Sequence, residues 1–309
     1  VVHVLFVVIS DPFFVAKGVK PPRTFAYLPV FLSIAGGSPR QCPTLEGKFP
    51  FQSMIPGPDL VLKLPDNGSL VKIRSILSGN NVGARLWTDS RQIAPMLPDQ
   101  PPFRFDPQTN TLFWTFECQE VGSIRFGRAK NKRPFWASLK HLFTRRRLPE
   151  TFEGVPYAET PTLSQYRQAI ENGMGTDPQK EVYLRTRFWW ASNDPARGSQ
   201  NDFWNDASDS LGSNAQAADN TPASSVGNTP PVLDTFAHAN LIQLKSFLNL
   251  DDPAARLKAI EIYRQLEDFK EAEALLDFPF PEDMNFFVEF LKKLVSERSP
   301  ALCRVLRSR

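Results

Sequence analysis

AIEIYRQLEDFKEAEALL, residues 259–276, reads as two short amphipathic helices joined by the tight turn Leu266-Glu267-Asp268-Phe269. Apolar positions recur at helical spacing on both sides of the turn, the pattern of helices that each bury one face. Ala259 lies four residues before Tyr263 on the first helix. Ala272 lies three after Phe269 on the second, where the two helices must approach closely.

The helical pattern extends outward from this pair. Asp251-Asp252-Pro253 opens the first helix, because Asp accepts from first-turn amides and Pro fits the first helical position. Phe278-Pro279-Phe280-Pro281 ends the second, and a last helix is expected over Glu282–Glu297 with Phe286, Phe287, Phe290, Leu291 and Leu294. Upstream, Leu241, Leu244, Phe247 and Leu248 share a face. Further back, TLSQYRQAIENG (162–173) stops at Gly173, and Asp177-Pro178 opens a helix that ends near Asn193-Asp194-Pro195. Residues 161–192 are thus expected as a helical hairpin and 233–299 as a helical-repeat-like region. The intervening 193–232 is rich in Ser, Asn, Asp, Ala and Pro. It buries too little apolar surface to offset the entropy of ordering, so a disordered insertion is expected.

The pair at 259–276 resembles the tetratricopeptide repeat around its inter-helix turn, on Phe269 after the turn and Ala272 three later. Glu267 stands in place of that family's turn glycine, and Arg256 stands where an aromatic residue belongs. The likeness covers at most one repeat, and an array needs about three. It implies a protein-interaction scaffold, with Arg256, Arg264, Glu267 and Lys270 on a partner-facing surface. An ordinary antiparallel bundle satisfies the same residues.

Before residue 161 the pattern is β. Prolines, 28 in the whole chain, cluster here and favour short strands and turns. LVLKL (60–64) and SLVKIRSIL (69–77) flank Pro65-Asp66-Asn67-Gly68, and Asn-Gly between alternating runs signals a hairpin with both central residues at positive φ. Further strands are expected at ARLWTD (84–89), TLFWTFEC (111–118) and SIRF (123–126), with APMLPDQPP (94–102) as extended or turn. The fold class is therefore α+β: a small β-rich N-terminal module over 41–126, then an all-α, helical-repeat-like C-terminal half.

LWTDSRQIAPMLPDQPPFRFDPQTNTLFW (86–114) resembles a segment of an uncharacterised bacterial protein family, and TRFWWASNDPAR (186–197) carries the same likeness. In that family a zinc-knuckle Cys-Pro-x-Cys-Gly precedes the Leu-Phe-Trp. Here Asp106-Pro107-Gln108-Thr109-Asn110 occupies it, with Asp106 and Thr109 in the thiolate positions. Asn110 tolerates the left-handed backbone that the glycine would adopt. The resemblance implies a degenerate knuckle whose turn survives. Cys42, Cys118 and Cys303 stand far apart, as do His3, His141 and His238, whereas a structural zinc site takes four close N or S ligands. No metal and no cofactor is expected.

The overall charge of +3 conceals a strip. RFGRAKNKRPFWASLKHLFTRRR (125–147) holds nine Lys and Arg and no acid, so the rest of the chain is net acidic. Lys132, Arg133, Lys140, Arg145, Arg146 and Arg147, interleaved with Phe135, Trp136 and Phe143, suit phosphate contact with stacking. They equally suit an anionic membrane, or a basic connector over 127–160 whose apolar face docks on the β module. The tail 300–309 is also basic. The opening run VVHVLFVVI (1–9) is too short to span a membrane, and 1–40 is expected as an ambiguous or poorly ordered leader. Three distant cysteines fit reduced thiols in a cytoplasm.

Chemistry-bearing motifs are sparse. The sequence has no glycine-rich phosphate loop, no G-x-S-x-G and no H-E-x-x-H. Cys118 with His141 is a possible nucleophile–base pair by spacing, but Cys118 closes an aromatic strand, the place of a structural thiol. The expected function is a non-catalytic interaction or scaffold module with a protein partner and no small-molecule substrate. Nucleic-acid or anionic-membrane binding through 125–147 is the alternative.

Overall fold

Leu60, Leu62 and Leu64 alternate with Val61 and Lys63, which sets a strand with an apolar face. In the computed structural model, which describes residues 54–81, 84–124, 152, 154–197 and 233–305, this strand is β2 (Asp59–Lys63). It is preceded by β1 (Ile55–Pro56) and pairs antiparallel with β3 (Leu70–Ile73) and β9 (Gln119–Ile124). The turn between β2 and β3 is a four-residue loop in which Gly68 alone takes positive φ. The amide of Gly68 donates to Leu64, and Asn67 Oδ1 accepts from the amide of Ser69. The expected two-residue turn is displaced because Pro65 occupies the first loop position and fixes its φ.

β1 pairs with β4 (Ile76–Ser78), and β5 (Arg85–Trp87) pairs with β6 (Gln92–Ile93). Strand β7 (Phe103–Asp106), which the sequence pattern did not announce, forms a hairpin with β8 (Thr111–Trp114). The segment 156–159 stitches this hairpin to the first sheet. Lys72 exchanges backbone bonds with Pro156 and Ala158, and Phe105 exchanges them with Glu159. Leu62, Leu64, Val71 and Phe113 pack together between the first sheet and this hairpin, and the two line a shared cavity, the β cup.

The six described helices are α1 (Leu163–Glu171), α2 (Pro178–Asn193), α3 (Thr235–Ser246), α4 (Pro253–Gln265), α5 (Phe269–Leu276) and α6 (Asn285–Ser296). Their starts follow the expected caps. Thr162 and Gln165 form a capping box, Asp177 accepts from the amide of Lys180, and Asp252 accepts from those of Ala254 and Ala255. Gly173 stands at φ +66 just past α1. Each helix packs on the next, and α4 also touches α6. One core joins α4, α5 and α6 through Leu257, Ile260, Ala272, Leu276 and Leu291. A second joins α2, α3 and α4 through Trp189, Leu241, Leu244 and Ile262. The helices at 161–192 therefore do join the repeat-like pair.

The β part and the helices form one compact unit. Phe103 and Trp114 pack with tilted rings at 4.8 Å, Phe103 meets Tyr166 of α1 at 6.1 Å, and Trp114 meets Tyr183 of α2 at 5.4 Å. Two stretches expected as accessory are built into the fold. Asn193 and Arg197, placed in the insertion by composition, are buried. The tail folds back as β10 (Arg304–Val305) on β5, with Ala301 and Leu302 buried. Residues 1–53, the basic strip 125–147 and 198–232 lie outside the described residues.

Candidate functional site

α4 is the centre of the helical layer and is buried on nearly every side, from Arg256 to Gln265. A helix so placed must satisfy its polar side chains internally. Glu261 and Arg264, both 0% exposed, do so through a closed network. Glu261 Oε1 accepts from Thr88 Oγ1 (2.8 Å), Arg264 Nη2 (2.6 Å) and Gln265 Nε2 (2.9 Å), while Oε2 accepts from Arg264 Nε (2.8 Å). Arg264 Nη1 donates to the carbonyl of Ser299. Gln265 Oε1 accepts from Trp189 Nε1 of α2 at 2.8 Å.

Thr88 belongs to the β5–β6 turn, where Ser90 takes positive φ. That turn is inserted into the helical layer. Next to Thr88, the buried carboxylate of Asp89 accepts from Arg197 Nη2 and from Asn193 Nδ2 (3.0 Å), and the Asp89 carbonyl accepts from Trp190 Nε1 (3.0 Å). Arg197 also donates to the Trp190 carbonyl (2.6 Å) and to Asp194 (2.7 Å). Trp-Thr-Asp (87–89) and the stretch 186–197, linked in sequence only by a shared resemblance, thus meet in space.

This geometry corrects the expectation for Arg264. It faces the chain's own β turn and its own C-terminal segment, not a partner. Arg256 is buried as well: Nε donates to the Leu250 carbonyl and Nη1 to the Pro279 carbonyl, each at 2.9 Å. Its guanidinium lies over Phe278 at 5.1 Å and Phe280 at 5.0 Å. Glu267 and Lys270 are exposed, and Glu267 has φ +62, as a residue in the glycine position of the turn requires. Lys132, Arg133, Lys140, Arg145, Arg146 and Arg147 lie outside the described residues.

The Arg256 clamp creates a surface that sequence reasoning missed. It holds the α3–α4 loop and the segment after α5 together, and each presents an apolar residue: Leu250, 39% exposed, and Phe278, 55% exposed. Exposed carboxylates adjoin them in sequence: Asp251, Asp252, Asp277, Glu282 and Asp283. The alternation of Phe and Pro at 278–281 was the available signal, since proline cannot continue the helix and the segment leaves it there.

Chemical candidates are few. The Cys118 thiol is pushed up to about 11 by burial, with the charges of Glu117 and Asp66 adding to it, which leaves it protonated at neutral pH. Its proposed partner His141 is outside the described residues. Where the knuckle resemblance puts two thiolates, Thr109 Oγ1 donates to Asp106 Oδ2 at 2.7 Å, and Asn110 takes φ +55. Among the described residues, no three His, Cys, Asp or Glu side chains gather as a metal set. Among them too, no helix is long and apolar enough to cross a membrane.

The fold and surface define an α+β protein whose β turn plugs a layer of six described helices. Comparisons with protein-family models, with curated proteins and with solved structures find no match.

Proposed function

We propose that this chain is a non-catalytic protein-interaction module whose recognition surface is the clamped patch of Leu250 and Phe278, not the inner helical face. The observation that carries this reading is the Arg256 clamp, which ties together the backbone beside the exposed Leu250 and Phe278 and lies over the Phe278 ring. Apolar anchors held rigidly bind with little ordering entropy. The surrounding carboxylates favour a partner segment with apolar side chains flanked by Lys or Arg. The inner face has no such freedom, because Glu261 and Arg264 are committed to Thr88 and Ser299.

The test uses the whole chain as bait, since α4 depends on Thr88 and Trp189. Wild type and Phe278→Asp are compared for partner capture at low and high salt. The reading expects a partner that is lost with Phe278→Asp at unchanged thermal stability and weakened by salt. Capture indifferent to Phe278→Asp contradicts it.

A second reading, phosphate or anionic-surface binding through 125–147, draws support from Lys72 and Arg74. Both lie over the ring of Tyr157, which follows the strip in sequence, at 4.6 and 4.9 Å. Low-salt filter binding with Arg145, Arg146 and Arg147 neutralised tests it. Binding that is unaffected, or absent from the start, removes this reading.

A further inference from the structure

Strands β7 and β8 pair Arg104 directly with Phe113, so both side chains leave the same face of the hairpin. Phe113 belongs to the core inside the cup, so Arg104 points inward too. The residue is only 8% exposed. Its Nε donates to the Pro101 carbonyl at 2.8 Å. Among the described residues, Nη1 and Nη2 have no hydrogen-bond partner and no carboxylate within ion-pair distance. Three other buried guanidiniums meet carboxylates, Arg187 with Asp99, Arg197 with Asp89 and Arg264 with Glu261, and Arg256 spends its donors on backbone carbonyls. The charge of Asp99 acts on Arg104 only from beyond ion-pair distance, so the two Nη groups stay open to a carboxylate arriving from the cavity.

The space in front of it is suited to one. The cup opens beside Arg104 in a cavity of about 330 Å³. Leu60, Leu62, Ile73 and Phe116 form its apolar wall, and Glu120 also lines it. Small-molecule sites commonly combine such a wall with one placed charge, in the mouths of barrel-like sheets among other places, and this volume is at the small end of their range.

We propose that the mouth of the β cup binds a small amphipathic carboxylate, an aryl or short acyl acid. The carboxylate takes the paired Nη donors of Arg104, and the apolar body lies on Leu60, Leu62 and Ile73. One guanidinium offers two parallel N–H bonds, which match a carboxylate in geometry and charge. A phosphate dianion fits less well, because a single guanidinium leaves half its charge uncompensated and Glu120 repels the rest. The apolar wall selects against small inorganic anions.

The probe is 3-phenylpropionate, with 3-phenylpropanamide as its uncharged isostere. The readout is protection of Cys118, which lines the cavity, from alkylation at alkaline pH, where its raised thiol begins to ionise, followed by peptide mass spectrometry. Cys303, which does not line it, is the internal control. The acid is expected to protect Cys118 but not Cys303, with the amide needing roughly 10- to 100-fold more ligand, the worth of hydrogen bonds to a charged group. Arg104→Met is expected to abolish the acid's advantage, and Glu120→Gln to strengthen acid binding. The proposal is overturned if acid and amide protect equally, or if neither protects. It is also overturned if Glu120→Gln weakens acid binding, since the acid then does not sit where the Glu120 charge repels it. Should Arg104→Met fail to fold, the wild-type comparison and Glu120→Gln still decide.

Discussion

Glu261→Ala removes the one carboxylate that serves Arg264, Thr88 and Gln265 together. The variant strands a guanidinium with 0% exposure and leaves the Thr88 hydroxyl and the Gln265 amide without their acceptor. Breaking a buried ion pair from one side destabilises by about 3–5 kcal/mol, and the two stranded donors push the effect towards the upper end. Against a total stability of about 5–15 kcal/mol, that is a large fraction. Urea unfolding followed by far-ultraviolet circular dichroism measures it. The midpoint is expected to fall while the slope stays constant, because the surface exposed on unfolding is unchanged. The double variant Glu261→Leu with Arg264→Met separates pairing from packing: it removes both charges and is expected to lose far less than the single change. A loss below about 1 kcal/mol for Glu261→Ala refutes the reasoning, because Arg264 then reaches water or another acceptor.

Glu267→Gly is expected to raise the melting temperature in a thermal melt, by relieving a non-glycine residue at φ +62, a conformation disfavoured by about 1–2 kcal/mol. Gly173→Ala acts in the opposite sense by about 1 kcal/mol, since Gly173 stands at φ +66 with open space around it, so the effect is purely one of backbone conformation. Asp106→Ala removes the acceptor for Gln108, Thr109 and Ser69, and a loss of about 1–3 kcal/mol in urea unfolding is expected. Cys118 sets a pH dependence. Its folded value of about 11 lies above the ordinary 9.0, so the folded state resists ionisation. That contribution is fully present below pH 9 and is lost as pH rises towards 11. Cys118→Ser is expected to flatten the alkaline limb of a stability–pH profile, and an unchanged limb counts against the burial argument.

Much of the helical layer is legible in the sequence because its termini are chemically explicit. Asp252-Pro253, Asp177-Pro178, Thr162 with Gln165, and Gly173 all act where a cap or stop was expected. Asn110 and Glu267 were likewise readable as left-handed positions. What stayed hidden was partnership between distant segments. Arg264 reads as solvent-facing because charged residues on helices usually are, and only the fold shows a turn from residue 88 delivering its neighbours. Phe103–Asp106 carries an arginine at an inward position and follows two prolines, so its period is masked. Asn193 and Arg197 were assigned by composition to the insertion, yet they serve Asp89. The patch at Leu250 and Phe278 depends on a clamp made through backbone carbonyls, which no side-chain pattern records.

The claim on which the rest depends is that the β turn and the helical layer are one cooperative structure, which commits the inner face and moves recognition outward. Native-state hydrogen exchange tests it most directly. Amides of Arg85–Trp87 in β5 and of Ile260–Gln265 in α4 are expected to share one opening free energy, and Thr88→Ala is expected to lower both by the same amount. Two distinct opening energies, with Thr88→Ala moving only the strand, would contradict it and return the inner face of α4 to the list of binding surfaces.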